Sequence, residues 1–293
     1  MLSPDLLKLT QSTKEVSQWG RMLCFVSYGL SIGIHISDRA ILEALPNYLP
    51  PNWQPFSSAR LDKLYSIMAV SDSPDYLLSD ETGELAKSQD LEDIFEVFDS
   101  ELRLWLGVSV QNRLFVHAGV VEWKGKAIVI PGRSFSGKTT LVAALVQAGA
   151  TYYSDEYALI DTDGLVHPYP RALSIRQGEG QRTKRCPVEV LGGLAGEKPI
   201  PIGLIVQTQY QSEAQWSPQE ISGGQAVLTL LDNTLVARLR PEFALPILGK
   251  AVSGAVILKS QRGEAEETAR VLLQHFDNLI NFNREENHHD TSC

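Results

Sequence analysis

The chain of 293 residues has few residues of the kinds that support metal, redox or membrane chemistry. Its three cysteines, Cys24, Cys186 and Cys293, lie far apart and show no Cys-x-x-Cys spacing, which argues against a zinc or dithiol centre. The first residues lack the basic and apolar segments of a signal peptide, and no stretch approaches about 18 uninterrupted apolar residues. We therefore expect a cytoplasmic protein that does not span a membrane.

Long runs of basic residues are also lacking. The formal net charge is −9, so we expect neither a nucleic-acid backbone nor a membrane surface as partner. The 43% of hydrophobic residues are enough to build a core, in one large domain or two smaller ones. Homo-oligomerisation stays open at this stage.

Two regions of different character divide the chain. Residues 1–110 combine alternating strand patterns, a proline-rich connection and a helical spacing, which together predict a small α+β lobe. Residues 111–282 begin with two strand-like runs joined by a short turn, and predict a nucleotide-binding catalytic domain of α/β class with a mixed sheet. Residues 283–293 are polar and are predicted to form a disordered tail.

A phosphate-binding motif of the form G-x-x-x-x-G-K-[ST] lies in the second region. It comprises Gly132, Arg133, Ser134, Phe135, Ser136, Gly137, Lys138 and Thr139, and Thr140 follows it. A buried-strand pattern precedes the motif and an apolar helical segment follows it, which is the context that the motif requires. Glycine-rich backbone N–H groups and a helix N-terminus bind phosphates, Lys138 reaches the terminal phosphates, and the Thr139 hydroxyl can bind Mg²⁺. The sequence therefore predicts binding of ATP, or of another nucleoside triphosphate, with Mg²⁺.

An acidic pair and a histidine flank this motif. Asp155 and Glu156 follow the helix after the loop, where a returning strand would bring them beside the phosphates. One carboxylate could then hold the metal while the other accepts a proton from the attacking hydroxyl. His117, on the strand-like run before the loop, could reach the mouth of the same site. Taken singly, an acidic pair is more often a solvated turn, and a lone histidine more often a core residue.

The segment between His117 and Glu156 resembles the catalytic core of HPr kinase/phosphorylase, a bacterial family that phosphorylates a protein serine. The resemblance rests on His-Ala-Gly-Val-Val at 117–121, the phosphate loop, Gly149 after its helix and the acidic pair. It implies the fold shared with phosphoenolpyruvate carboxykinase, in which strands of a mixed sheet surround the nucleotide site.

The resemblance also implies a role for each matching residue. Lys138 would hold the β and γ phosphates, Asp155 would be the general base, and His117 would lie near the reacting phosphate or the acceptor. Thr139, Asp155 and Glu156 form the expected metal set, in which Glu156 assists.

The chain departs from the family at two places in this region. Glu156 stands where the family has Asp, and the segment at 188–192, Val-Glu-Val-Leu-Gly, lacks the arginine of the family's Glu-Val-Arg-Gly signature. That signature helps the reverse reaction, so we hypothesise a kinase without efficient phosphorylase activity. The first lobe shows no similarity to the family's N-terminal domain, which leaves the acceptor open: a serine of a peptide or protein, or a small hydroxylated molecule.

Three other functions remain compatible with the motifs. The chain could be a nucleotide-regulated binding protein without transfer activity, which would not need a proton acceptor beside the phosphates. A carboxykinase-type enzyme is a lower-ranked alternative, because it needs an arginine for a small carboxylate, such as Arg176 or Arg262. A generic hydrolytic nucleotidase ranks last, since no clear apolar strand ending in a metal-binding acid is present apart from residues 152–155.

Overall fold

The computed structural model describes two compact units, Met1–Gln111 and Asn112–Cys293. The residues that it describes are 13–15, 21–57, 60–133, 136–176 and 183–289. Both units combine helices with β-sheets that hold parallel and antiparallel strand pairs, so the predicted mixed α/β class holds. No helix in the described part of the chain is long and apolar enough to cross a membrane.

The first unit is a sheet covered by a long helix. Its strands are β1 (Thr13–Glu15), β2 (Arg21–Ser27), β3 (Leu30–Ile36), β4 (Gln54–Pro55), β5 (Lys63–Ala69), β6 (Tyr76–Asp80) and β7 (Gly83–Ser88), and its helices are α1 (Arg39–Ala44), the 3₁₀ turn Leu45–Tyr48 and α2 (Leu91–Ser109). The strand order is β1-β2-β3-β5-β6-β7, β4 pairs with β2, and β3 runs parallel to β5.

Alternating apolar residues explain how this unit packs. Ile32, Ile34 and Ile36 of β3 point to one face, as the period of two requires, and all three are buried. Helix α2 starts at Leu91, where the Asp90 side chain accepts the N–H of Glu92 and caps the helix. Its buried Phe98 meets Tyr65 of β5 edge to face, with 5.3 Å between ring centroids.

The second unit contains the phosphate-binding motif. Its strands are β8 (Arg113–Trp123), β9 (Lys126–Pro131), β10 (Thr151–Ser154), β11 (Tyr157–Asp161), β12 (Leu165–His167), β13 (Leu173–Arg176), β14 (Thr183–Cys186), β15 (Ile200–Tyr210), β16 (Gln219–Glu220) and β17 (Val256–Arg262), and its helices are α3 (Lys138–Gln147), the 3₁₀ turn Val188–Leu191, α4 (Gly223–Asp232), α5 (Pro241–Val252) and α6 (Ala265–His289).

Strand pairing in the second unit forms a closed circuit. Strand β8 pairs with β9 and β11, β9 pairs with β15, β15 pairs with β12, and β12 pairs with β11. Strands β9, β15 and β17 run parallel and therefore end at the same edge, where ligands of α/β proteins usually bind. Helices α3 and α6 pack together over this sheet through Val142, Leu145, Leu272 and Phe276, which are buried.

The structure differs from the sequence expectations at three places. Helix α6 continues to His289, seven residues into the segment predicted to be disordered, because that stretch contains no proline or glycine to end it. The apolar run from Val252 to Leu258 has the pattern of a buried strand, but the structure splits it between the end of α5 and the start of β17. Helices α4 and α5 were not predicted.

Candidate phosphate-binding site

The phosphate loop lies between a buried strand and a helix, as predicted. Strand β9 ends at Pro131 and α3 begins at Lys138, while Ser134 and Phe135 lie outside the described residues. Gly137 has a φ of 83°, a left-handed conformation that favours glycine. No described side chain caps helix α3, so its first N–H groups are available to an anion. Thr140 is exposed on the first turn of this helix.

Lys138 is buried against its own loop. Its side chain folds back so that Nζ donates to the carbonyl oxygens of Gly132 and Arg133, both at 2.8 Å. The residue is 7% exposed, and this burial lowers the pKa of Lys138 although the charges of Glu156 and Asp155 oppose the shift. Among the described residues, the amine's hydrogen-bond partners are these two carbonyl oxygens, and the amine is positioned to interact with phosphate oxygens.

Asp155 meets the hydroxyl of Thr139, the metal-binding residue predicted from the motif. Thr139 Oγ1 donates to Asp155 Oδ2 at 3.1 Å, and the Tyr152 hydroxyl donates to Oδ1 at 2.9 Å. The Ser174 N–H adds a longer contact of 3.4 Å. Asp155 is 6% exposed, and this burial raises its pKa, with the Glu156 charge adding to the effect and the Tyr152 hydrogen bond opposing it. A carboxylate with a raised pKa is better matched to general-base catalysis near neutral pH.

The turn after β10 directs the two acids differently. Ser154 is buried, and its hydroxyl accepts the N–H groups of Glu156 at 3.1 Å and of Tyr157 at 2.9 Å. Asp155 is thereby held inside, whereas the Glu156 side chain remains 33% exposed. Glu156 Oε1 lies 3.8 Å from His117 Nε2, a contact that becomes an ion pair when the imidazole is protonated.

His117 is tied to the loop through its backbone. Its carbonyl oxygen accepts the N–H of Gly132 at 3.3 Å, and its N–H donates to the Asn233 carbonyl oxygen at 2.7 Å. The neighbouring Gly119 is closely packed, because a Cβ there would overlap Val142 of α3. The predicted residues on β8, on the loop and after β10 therefore come together in one region.

The donor atoms at this region fit Mg²⁺. Thr139, Asp155 and Glu156 supply only oxygen ligands, which Mg²⁺ prefers, and Mg²⁺ commonly uses one or two carboxylates together with substrate phosphates. Within the described ranges there is no group of three or more His, Cys, Asp or Glu residues placed to hold a metal. A metal ion held by these residues would need phosphate oxygens to complete its coordination.

The structure gives Arg262 a position that the motifs did not indicate. Its side chain is 2% exposed, and Nη2 donates to the Gly137 carbonyl oxygen at 2.9 Å, while Nη1 donates to the Gly263 carbonyl oxygen at 2.9 Å. Burial lowers the pKa of this guanidinium. Arg262 therefore supports the phosphate loop from behind, and two of its donors are used by backbone carbonyls instead of by a small carboxylate. The Arg176 side chain lies outside the described residues.

Comparison with known proteins adds little to this geometry. No family model and no curated protein matches the chain. Among solved structures, the chain is similar to the HPr(Ser) kinase/phosphatase from Coxiella burnetii, with 13% identity, 61% of this chain and 99% of that chain covered, and a TM-score of 0.34. An overlap of that quality does not decide the activity of this chain, which has to be inferred from its own residues.

Proposed function

We propose that the chain is an ATP- and Mg²⁺-dependent kinase that transfers the terminal phosphoryl group to a hydroxyl, within the fold shared by HPr kinase and phosphoenolpyruvate carboxykinase. The observation that carries this proposal is the 3.1 Å contact between the hydroxyl of Thr139 and the carboxylate of the buried Asp155. A site that only holds a nucleotide has no need of a proton acceptor at this position. The proposal includes a nucleoside triphosphate other than ATP as a possible donor.

Each residue contributes a separate part of the transfer. Lys138 and the loop N–H groups bind the phosphates, and Asp155 accepts the proton of the acceptor hydroxyl as its oxygen bonds to the terminal phosphorus and the bond to the ADP oxygen breaks. Thr139 and Glu156 would hold Mg²⁺, which neutralises charge on the phosphates when bound. Positioning and charge neutralisation supply most of the acceleration in reactions of this type.

Mass analysis of acceptor pools tests the proposal. Purified protein is incubated with Mg²⁺-ATP and with a cell extract divided into peptide, protein and metabolite pools, beside Lys138→Ala and the control Lys87→Ala. We expect one pool to gain a phosphoryl mass with the native protein and with Lys87→Ala, since Lys87 is a half-exposed lysine of the first unit. Binding of ATP without transfer to any pool would contradict the proposal and favour a nucleotide-regulated binding protein.

A further inference from the structure

Arg262, the last residue of β17, carries a buried charge that no described carboxylate neutralises. Its side chain is 2% exposed, and the guanidinium contacts neutral groups. These are the carbonyl oxygens of Gly137 and Gly263, each at 2.9 Å, and the ring of Tyr210, whose centroid lies 5.3 Å from Cζ. Within the described part of the chain, no acid forms an ion pair with it. Buried charges in proteins are normally paired, so this charge calls for an anionic partner.

The guanidinium lies directly against the phosphate loop. A Cβ added to Gly137 would overlap Arg262 Nη2, so the loop backbone and the guanidinium are in close contact. The guanidinium also faces the ring of Tyr210, its neighbour across the parallel pair of β15 and β17. A cation over an aromatic face is attracted to the ring, which helps to hold the guanidinium in place. The positive charge is therefore fixed beside the loop.

The hydrogen bond to Gly137 acts on a peptide group that can bind a phosphate. The carbonyl of Gly137 belongs to the same peptide group as the N–H of Lys138, which is the first residue of α3. The first N–H groups of a helix have no acceptor within the helix and bind anions. A charged donor on the carbonyl polarises the peptide group, and this strengthens its N–H as a donor. Arg262 thus makes the first N–H of α3 a better donor to a phosphate oxygen.

Glu264 is the acid whose charge acts on Arg262, but it does not neutralise the guanidinium. Its Oε1 accepts the hydroxyl of Tyr210 at 3.0 Å, and the residue is exposed. Burial lowers the pKa of Arg262, although the charge of Glu264 opposes this shift. Water screens an exposed carboxylate that lies beyond ion-pair distance. The charge of Arg262 thus stays available to an anion on the loop.

We propose that Arg262 is a positioning residue for the nucleotide, whose buried positive charge acts through the peptide group between Gly137 and Lys138 and is neutralised by the phosphates bound on the loop. This inference rests on the nucleotide binding proposed above, and it assigns to that site a residue outside the phosphate-binding motif. It predicts that the affinity for phosphates depends on the charge at position 262, and not only on the hydrogen bond to Gly137.

Two substitutions separate the charge of Arg262 from its hydrogen bond. Arg262→Lys keeps the charge and a donor, whereas Arg262→Gln keeps a donor and removes the charge. We expect Arg262→Gln to raise the Kd of the full chain for Mg²⁺-ATP by about tenfold or more, and Arg262→Lys to raise it by about threefold at most. The control Arg270→Gln removes the same charge from an exposed position of α6 and should leave the Kd unchanged. Equal Kd values for Arg262→Lys and Arg262→Gln in calorimetry would overturn the proposal.

Stability, turnover and a second ligand separate this role from a merely structural one. Arg262→Gln and Arg262→Lys should unfold at similar urea concentrations, because removal of a buried charge offsets the loss of its hydrogen bonds. Inorganic tripolyphosphate, which has no nucleoside, should lose affinity for Arg262→Gln by the same factor as ATP. The kcat at saturating ATP should stay within about threefold of the native value. A loss of affinity that tripolyphosphate does not share, or a lower kcat with an unchanged KM, would overturn the proposal.

An exposed substitution keeps the proposal testable if Arg262→Gln does not fold. Glu264→Gln keeps an acceptor for the hydroxyl of Tyr210 and removes an acid that offsets the charge of Arg262. It should lower the Kd for Mg²⁺-ATP by about twofold to threefold. The control Glu267→Gln, at an exposed position in the first turn of α6, should leave the Kd unchanged. Equal Kd values for these two variants would overturn the proposal.

ATP binding by the native chain separates failure of the inference from failure of the proposed function. If the native chain binds ATP and charge at position 262 has no effect, the inference is overturned and the kinase stands. If the native chain does not bind ATP, both are overturned. ATP binding with the expected dependence on charge, but without transfer to any acceptor pool, would support the inference and overturn the kinase.

Discussion

The contacts of Lys63 in the first unit and the groups at the phosphate loop of the second unit treat partly buried charges in opposite ways. In the first unit, the amine of Lys63, whose side chain is 10% exposed, lies 2.7 Å from Asp80 and 2.9 Å from Glu81. Burial alone would lower the pKa of Lys63, but the hydrogen bonds to both acids outweigh it and raise the pKa. Burial likewise acts to raise the pKa of Asp80, but the hydrogen bonds from Lys63 and Thr82 bring it down to about 2. Both groups are therefore more stable in their charged forms.

Beside the phosphate loop of the second unit, burial decides the direction of the pKa shift. The pKa of Lys138 is lowered, that of Asp155 is raised and that of Arg262 is lowered, in each case chiefly because the charged form loses solvent. Groups that are held at a cost to their charged forms are typical of functional sites. The contacts of Lys63, in contrast, favour the charged forms of both partners. The comparison teaches that the direction of a pKa shift separates these two uses of similar residues.

Replacing Asp155 should have the largest effect on activity. We expect Asp155→Asn to reduce phosphoryl transfer by about 10²- to 10⁴-fold, because the variant cannot accept the proton. The Kd for ATP should change little, since Lys138 and the loop are intact. Transfer rates and calorimetric ATP binding measure the two quantities, and unchanged transfer would remove Asp155 from the mechanism.

The same variant should not destabilise the protein at neutral pH. Because the folded-state pKa of Asp155 is raised, its contribution to stability is complete below the ordinary value of 3.8 and is lost as pH rises through the raised pKa. Asp155→Asn should therefore melt at the native temperature or higher at neutral pH, and lose that advantage at low pH. A clearly lower melting temperature at neutral pH would show that Asp155 stabilises the fold.

Two glycines with nearly equal φ angles allow the phosphate loop to be compared with an ordinary turn. Gly137 has a φ of 83° and Gly29, between β2 and β3, has a φ of 81°, but a Cβ at Gly137 would overlap the Arg262 guanidinium while Gly29 has nothing within 4 Å. We expect Gly29→Ala to cost about 1 kcal/mol of unfolding free energy from backbone strain. Gly137→Ala should cost more and also weaken ATP binding by about tenfold or more.

Denaturant unfolding measures the loss of stability in Gly29→Ala and Gly137→Ala, and ATP titration measures their affinity for ATP. Equal losses of stability in the two variants, with ATP binding unchanged in Gly137→Ala, would mean that Arg262 does not hold the loop.

Removing an acid from the first unit should affect stability alone. Asp80→Asn should lower the unfolding free energy by about 1–2 kcal/mol, because it removes a charged hydrogen bond to Lys63. Since the pKa of Asp80 is lowered to about 2, this stabilisation is present above pH 3.8 and is lost as pH falls through about 2. Glu81→Gln should cost less, because the Glu81 side chain is 53% exposed.

Urea unfolding at several pH values measures the unfolding free energies of Asp80→Asn and Glu81→Gln. A cost of Glu81→Gln equal to that of Asp80→Asn would show that burial does not strengthen the Lys63 contacts.

The smallest expected effect comes from a hydroxyl beside the proposed base. Tyr152→Phe removes a hydrogen bond that lowers the pKa of Asp155, so this pKa should rise further. The acidic limb of the kcat profile should then move to higher pH, with a loss of about threefold to tenfold on that limb. Tyr153→Phe is the control, since that hydroxyl donates to the Lys198 carbonyl oxygen. An equal shift of the acidic limb in Tyr152→Phe and Tyr153→Phe would exclude a specific effect of Tyr152 on Asp155.

Local sequence patterns predicted the central part of the site. The strand-like runs of β8 and β9, the glycines and lysine of the loop, and the acids after β10 are each visible as short local patterns between residues 114 and 156. The same reasoning missed α4 and α5. Two glycines open α4, although the Ser222 and Gln225 capping box stabilises its start, and Pro246 lies inside α5.

The sequence by itself determined the phosphate loop, the succession of strand, loop and helix that contains it, and the residue types that are candidates for catalysis, because these depend on short-range periodicity and backbone freedom. Only the tertiary structure decided that Arg262 supports Gly137, from which it is 125 positions distant, that Tyr152 contacts Asp155, and that β15 continues along β17 past its last pairing with β9. The contacts of Arg262 and the edge of β15 depend on strand pairing between distant segments, and the burial that moves the pKa values of Lys138 and Asp155 arises only when those segments pack.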